Sequence, residues 1–226
     1  KAVQSFKRRQ NTTDDDVIGL LDRSNVSVLD ENSNKDAAIV STQRDLIAGE
    51  VSKDIARRKL IPTDILEAHD SGAIHFHDMD YIIQPMFNCC LINLEDMLTN
   101  GTVINGKKID TPKSFQVACT VTTQIIAQVA SGQYGGQSIN GIDRILAPFV
   151  RKSYEKILNN VIEEQVEIYG MEPNMEKARE IAWNRTRKEV KDGIQTIQYQ
   201  INTLMTTNGQ SQFVTLFMYF QPDYEY

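Results

Sequence analysis

The chain is poor in the residues that most often carry chemistry. Its 226 residues include only three cysteines, three histidines and one tryptophan. Two cysteines, Cys89 and Cys90, are adjacent. Three thiols so placed cannot form a disulfide framework, and neither a C-x-x-C redox pair nor a paired C-x-x-C zinc pattern occurs. A reducing, cytoplasmic compartment is therefore expected, in which N-x-S/T triplets such as Asn184-Arg185-Thr186 carry no meaning as glycosylation sites. No run of about 18 apolar residues occurs, so no segment is expected to span a bilayer. An excess of positive charge is missing too. Twenty-four Lys and Arg against 30 Asp and Glu give a net charge of −6 and a pI near 5.2, which points to neither a nucleic-acid nor a membrane partner. There is no initiating Met and no signal-like segment at Lys1, and the chain stops shortly after a strongly apolar stretch. Both ends are read as cuts in a longer protein.

What reactive groups there are gather in one stretch: His75-Phe76-His77-Asp78, a short apolar run, then Asn88-Cys89-Cys90-Leu91. Residues 74–76 alternate as a short strand would, and residues two apart on a strand share a face, so His75 and His77 could address one ligand. Two histidines and one aspartate fall short of the donor set of most metal sites. The segment is therefore read as a polar active-site wall, with no metal assigned. Adjacent cysteines on an extended segment face opposite ways, so at most one of Cys89 and Cys90 meets a site, while burial of both in the core is the competing reading. Cys119, among Val117, Ala118 and Val121, is read as core.

Helical periodicity dominates the rest. The first 35 residues are polar and read as an arm with a short helix at 17–21. Residues 36–58 carry apolar positions at helical spacing. Pro62, Thr63 and Asp64 open a further helix that Gly72 closes. Asn105-Gly106 marks a hairpin turn. A helix is expected from Thr111-Pro112 to about residue 130. Ser131-Gly132-Gln133-Tyr134-Gly135-Gly136-Gln137 matches neither the P-loop nor the Rossmann spacing and reads as a flexible link to a second long helix from Ile142, with Pro148 in its first turn or kinking it. Residues 176–203 form one helix or two around Gly193, and 212–220 form a buried, parallel-type strand. Strands spaced by long helices argue for an α/β fold. Arg151, Lys152 and Lys156 are either a solvated face or phosphate partners. The polar loop at Asn208 precedes the last strand and is a possible ligand position.

An ordered set of motifs adds a resemblance. Phe6-Lys7-Arg8-Arg9-Gln10-Asn11, Asp16-Val17-Ile18-Gly19-Leu20-Leu21, Glu31-Asn32-Ser33-Asn34-Lys35, His75-Phe76-His77-Asp78-Met79-Asp80-Tyr81, Asn88-Cys89-Cys90-Leu91, the glycine-rich segment through Ser138, and Asn202 through Ser211 occur in this order. Together the chain resembles the anaerobic (class III) ribonucleoside-triphosphate reductases, oxygen-sensitive glycyl radical enzymes, over nearly its whole length. The resemblance implies the first half of a ten-stranded α/β barrel of the glycyl radical type, rich in long helices. Residues 1–35 would be an arm following a missing ATP cone. Residues 36–226 would be a partial catalytic barrel, with dimer and effector helices at about 111–168. The implied activity is reduction of ribonucleoside triphosphates to deoxyribonucleoside triphosphates by thiyl and glycyl radical chemistry, with formate as reductant. Cys89 is the implied hydrogen-donating catalytic cysteine, with Asn88 beside the sugar. His75, His77 and Asn208 are further substrate-binding candidates, and Arg151, Lys152 and Lys156 are effector phosphate partners. Implied partners are ATP and deoxynucleotide effectors, a radical SAM activating enzyme and a second copy of the chain. The radical glycine and a zinc site belong to later sequence absent here, so this chain is expected not to turn over alone. The competing functions are a glycyl radical enzyme of the pyruvate formate-lyase type and a non-catalytic helical dimerisation or nucleotide-binding module.

Overall fold

The computed structural model describes residues 13–29, 35–84, 86–168, 170, 172–207 and 209–219. The expectations at residues 6–11, at 31–34 and at Asn208 lie outside them. Two compact units emerge, one from Lys1–Met86 with Met205–Ser211, the other from Phe87–Leu204 with Gln212–Tyr226.

The first unit is helical. Its elements are α1 (Thr13–Leu21), the single turn α2 (Val26–Leu29), α3 (Val40–Ile55), which continues into a π-turn over Ala56–Leu60, and α4 (Thr63–Asp70). Three aspartates, Asp14, Asp15 and Asp16, occupy the first turn of α1, where they complement the exposed backbone N–H groups. α3 differs from its sequence expectation. Val40 and Val51 are exposed, and its buried positions are Thr42, Gly49, Glu50 and Ser52. The reason is that α3 packs on backbone. Ser52 Oγ donates to Met79 O at 2.8 Å and Thr42 Oγ1 to Gly209 O at 2.7 Å. Gly209 has φ +75°, and a Cβ there would lie 2.5 Å from Thr42 N, so only glycine fits. Lys35, nearly buried, forms an ion pair with Asp45 and donates to Tyr81 Oη at 2.6 Å. Residues 74–76 are irregular and form no strand.

The second unit is α/β. A three-stranded parallel sheet has the order β1 (Cys90–Leu91), β4 (Gln137–Ile139), β5 (Val214–Leu216), with Cys90 opposite Gln137 and Gln137 opposite Val214. Helices supply the crossovers that parallel strands require. Between β1 and β4 lie α5 (Leu94–Thr99), a hairpin of β2 (Thr102–Ile104) and β3 (Lys107–Ile109), and α6 (Phe115–Ala130). Asn105 and Gly106 turn the hairpin with φ +49° and +75°, as a type I′ turn needs. α6 starts at Phe115, later than expected, because Ser114 caps it by accepting from Val117 N at 3.3 Å.

Between β4 and β5 run α7 (Ile142–Glu163), a π-turn over Glu164–Ile168, and α8 (Met175–Thr203). Pro148 lies inside α7, past its first turn. α8 is one unbroken helix, and Gly193 marks a close approach to α6: a Cβ there would lie 2.6 Å from Phe115 Cε1 and 2.9 Å from Cys119 Sγ. Leu94, Leu98, Phe115, Ile125, Ile126, Ile139, Leu146, Phe149 and Ile197 form the core of this unit. Among the described residues β5 pairs with β4 alone, and Phe213 and Phe217 beside it are exposed, so it lies at an edge of the three-stranded sheet and is not the buried strand that its apolar run suggested. An unbroken apolar run cannot distinguish a strand covered on both faces from one lying at an open edge. Among the described residues no helix is long and apolar enough to cross a membrane.

Candidate functional site

The thiol site is assembled in the second unit. Backbone bonds tie residues 87–90 to the glycine-rich segment. Phe87 N donates to Gly132 O at 3.3 Å, Tyr134 N to Phe87 O at 3.1 Å, Gly135 N to Asn88 O at 2.7 Å, and Cys90 N to Gly136 O at 3.2 Å. The glycine-rich segment is therefore the ladder partner of Asn88-Cys89, which corrects the flexible link expected from spacing. Its glycines serve contact. A Cβ on Gly135 would sit 2.5 Å from Asn88 O and 2.9 Å from Cys89 Sγ, and one on Gly136 would sit 2.5 Å from Phe213 Cδ1. The Phe213 ring thus lies over the Gly136 backbone, from the residue just before β5.

On this support Cys89 and Asn88 are both exposed, and the Cys89 thiol donates to Asn88 Oδ1 at 2.8 Å. Cys90 turns the other way, half-buried against the core cluster, and burial raises its thiol pKa, with a smaller push from Cys89. Cys119 is buried, and burial, helped by the charge of Glu189, pushes its thiol up to about 12. A thiol so raised stays protonated and is a poor nucleophile, and burial keeps it from any ligand. The alternation expected of adjacent cysteines is present, with the solvent-facing position held by Cys89. All three thiols are free. One accessible S–H beside a carboxamide, with no second thiol on its face, suits donation of hydrogen better than dithiol exchange.

The first unit gathers all three histidines. His75 Nε2 is 3.2 Å from His77 Nδ1, His77 Nε2 is 3.2 Å from Asp78 Oδ1, and the His69 and His75 ring centroids are 5.6 Å apart. His75 and His77 thus meet each other, without strand geometry to align them. His69 was not singled out from sequence, where it is a lone histidine in a helix; Phe76 N donates to its Nδ1 at 3.2 Å. Among the described residues no group of three or more His, Cys, Asp or Glu could hold a metal ion.

Of the three basic residues on α7, Lys152 sends its ammonium over the Phe149 ring, 4.8 Å from the centroid, and to Pro112 O at 3.5 Å. Arg151 lines an apolar groove of about 1220 Å³ between α7, α8 and β5, together with Trp183 and Ile194. Lys156 is exposed. Asn88, Cys89 and Gly135 do not line that groove, so it is separate from the thiol site.

The anaerobic ribonucleoside-triphosphate reductase family model matches residues 31–226. The chain belongs to this family. It is 46% identical over 210 residues to the anaerobic ribonucleoside-triphosphate reductase of Escherichia coli (strain K12), covering 92% of this chain and 28% of that protein. Identity to the reductase of enterobacteria phage T4 is 42% over 206 residues, covering 91% of this chain and 32% of the phage protein. The chain thus spans about a third or less of the curated relatives it matches. The fold is similar to a crystal structure of the anaerobic ribonucleotide reductase from Thermotoga maritima in complex with dATP and CTP, with a TM-score of 0.59 at 14% identity over 90% of this chain and 34% of that one. A second structure of the Thermotoga maritima reductase, with MES in its active site, gives a TM-score of 0.55 at 12% identity over 95% of this chain. The family match contains every described element of the thiol site, from Phe87 to Phe213.

Proposed function

We propose that this chain is the N-terminal part of the catalytic region of an anaerobic ribonucleotide reductase, acting on ribonucleoside triphosphates with formate as reductant. One observation carries the reading: the exposed Cys89 thiol, hydrogen-bonded to Asn88 and held by a glycine ladder, within a chain of this family. In the proposed reaction the 2′-hydroxyl takes a proton and leaves as water, Cys89 gives a hydrogen atom to C2′, and formate, oxidised to carbon dioxide, supplies the two electrons and the hydrogen that return the Cys89 sulfur to S–H. Asn88 orients the thiol and meets the sugar hydroxyls with its carboxamide. Gly135 keeps the approach open and Cys90 stays out of the reaction in the core. The glycyl radical, in sequence beyond this chain, supplies the one-electron chemistry that begins turnover.

Residues 36–226 then form part of a ten-stranded barrel, and residues 1–35 are an arm that follows an ATP cone. His75, His77 and Asn208 are proposed as hydrogen-bonding groups for the nucleotide. Helices within about 111–168, with Arg151, Lys152 and Lys156, are proposed to meet deoxynucleotide effectors near a dimer interface. A radical SAM enzyme would install the radical, zinc would be held by later cysteines, and the location would be the cytoplasm. The test is Cys89→Ala in the full-length reductase. Deoxynucleotide formation is expected to fall to background with nucleotide binding retained, while Cys90→Ala keeps turning over. A Cys89→Ala enzyme with wild-type turnover would overturn the assignment.

A further inference from the structure

We propose that the apolar groove between α7, α8 and β5 is the seat of the next helix of the same polypeptide, an amphipathic segment that follows β5 in the full-length protein. The proposal rests on the reading of the chain as the N-terminal part of a longer reductase.

The sheet dictates where that segment goes. Its strands β1, β4 and β5 are parallel and adjacent in chain order, so both crossovers step sideways in the same direction. Both also pass over the same face. Gln137 on β4 reaches α6 on that face, its Nε2 donating to Ile126 O at 3.0 Å, and Val214 on β5 packs against the core that α6, α7 and α8 share. Crossovers between parallel strands keep one hand almost without exception. A third step, onward from β5, therefore lays its helix on this face again, beside α7 and α8.

That place is open. Val214, Leu216 and Met218 recur at every second position along β5 and its exit, and all three line the groove. Val214 is half-buried, but Leu216 is 36% and Met218 54% exposed. Parallel strands are normally covered on their helical face, so this row lacks its cover. The walls fit a helix. Leu146 and Val150 lie one turn apart on α7, Ile194 and Ile201 two turns apart on α8, and all four line the groove. The α7 wall, from Ile142 to Tyr154, is about 18 Å long, which a helix of about 12 residues spans. Polypeptide to fill it is at hand in the family, since the chain spans about a third or less of the curated relatives it matches. Crossover handedness places the segment joined to β5 here, and it places no second copy.

The experiment puts the photo-cross-linker p-benzoylphenylalanine at Met218, and separately at Ile194, in the full-length reductase. Two sites are used so that one misfolded variant does not leave the groove untested. Products are sized on a denaturing gel and mapped by mass spectrometry. The expected result is a product of monomer mass, with both sites joined to the apolar face of the first amphipathic helix after Tyr226. A product of twice the monomer mass would make a second copy the occupant and overturn the proposal. Links only to residues before Tyr226 or to a later part of the protein, or no link from either site, would overturn it too. Cys89→Ala turnover in the full-length enzyme tests the reductase reading separately. Cross-links that fail while Cys89→Ala abolishes turnover overturn the groove assignment alone.

Discussion

Gly135→Ala perturbs the thiol site without touching a reactive atom. The added Cβ would lie 2.5 Å from Asn88 O and 2.9 Å from Cys89 Sγ, closer than real Cβ atoms come to their neighbours. The backbone neighbour does not yield cheaply. Asn88 O is held by the Gly135 N–H at 2.7 Å, and the adjacent rung from Tyr134 N to Phe87 O is 3.1 Å. Overpacking of this kind costs about 1–3 kcal/mol, and opening a rung to relieve it adds about 1 kcal/mol. A loss of about 2–4 kcal/mol is expected, read as a lower urea midpoint at unchanged m-value. The Cys89 thiol should be displaced too, so its iodoacetamide rate should change in the native state. Gly132→Ala is the internal control. Its nearest neighbour would be Val129 O at 3.7 Å, an ordinary contact, and its backbone is not left-handed. That variant should stay within about 0.5 kcal/mol of wild type. If Gly135→Ala and Gly132→Ala unfold at the same urea concentration and alkylate alike, the ladder does not hold the site as described.

Alkylation of the native chain should modify Cys89 first, Cys90 more slowly, and Cys119 only on unfolding. Cys119 is raised from 9.0 to about 12, which leaves roughly a thousandfold less thiolate at any working pH, and burial blocks access as well. Peptide mapping showing Cys119 modified as fast as Cys90 would refute this. Ser153→Ala should destabilise the second unit by about 1–3 kcal/mol, measured by urea unfolding. Ser153 Oγ accepts from Phe115 N at 2.8 Å and donates to Glu189 Oε1 at 2.9 Å, so its loss strands a buried N–H; a neutral variant would contradict these bonds. Hydrogen bonds from Arg58, Arg57 and Arg185 lower the carboxyl pKa values of Asp54, Asp70 and Glu164 in the folded state. Their contribution is present above the ordinary carboxylate range and is lost as pH falls through the lowered values, so melting temperatures should drop below about pH 4. Exposed pairs contribute little each, so the drop should be shallow; melting temperatures that rise between pH 5 and pH 3 would refute the sign.

Several elements were legible because their cause is local. The Asn105-Gly106 hairpin depends on two residues tolerating positive φ. The helices ending at Ala130 and spanning Ile142–Glu163 follow from apolar spacing. The core position of Cys119 follows from its helical neighbours. The errors share a different cause. The glycine-rich segment looked like a link because its partner, Asn88-Cys89, lies more than forty positions earlier in the chain, and spacing within a segment carries no signal of what it pairs with. Gly193 left one helix or two open, because sequence alone does not show that its small size serves the close approach of α6 and α8. The run before Phe220 looked buried because hydrophobicity does not reveal whether a second strand covers it.

By itself the sequence determined the chemistry available: one region holding most of the scarce thiols and imidazoles, an α/β pattern of long helices, and an ordered motif set that marks the family. Residue type and local periodicity carry that information, since they depend on neighbours a few positions away. Tertiary structure alone decided which thiol meets solvent, which glycines are needed for contact, and that three separated histidines share one cluster. Those outcomes depend on long-range pairing, in which a backbone carbonyl at Asn88 and a glycine at 135 must approach closely enough to exclude any side chain.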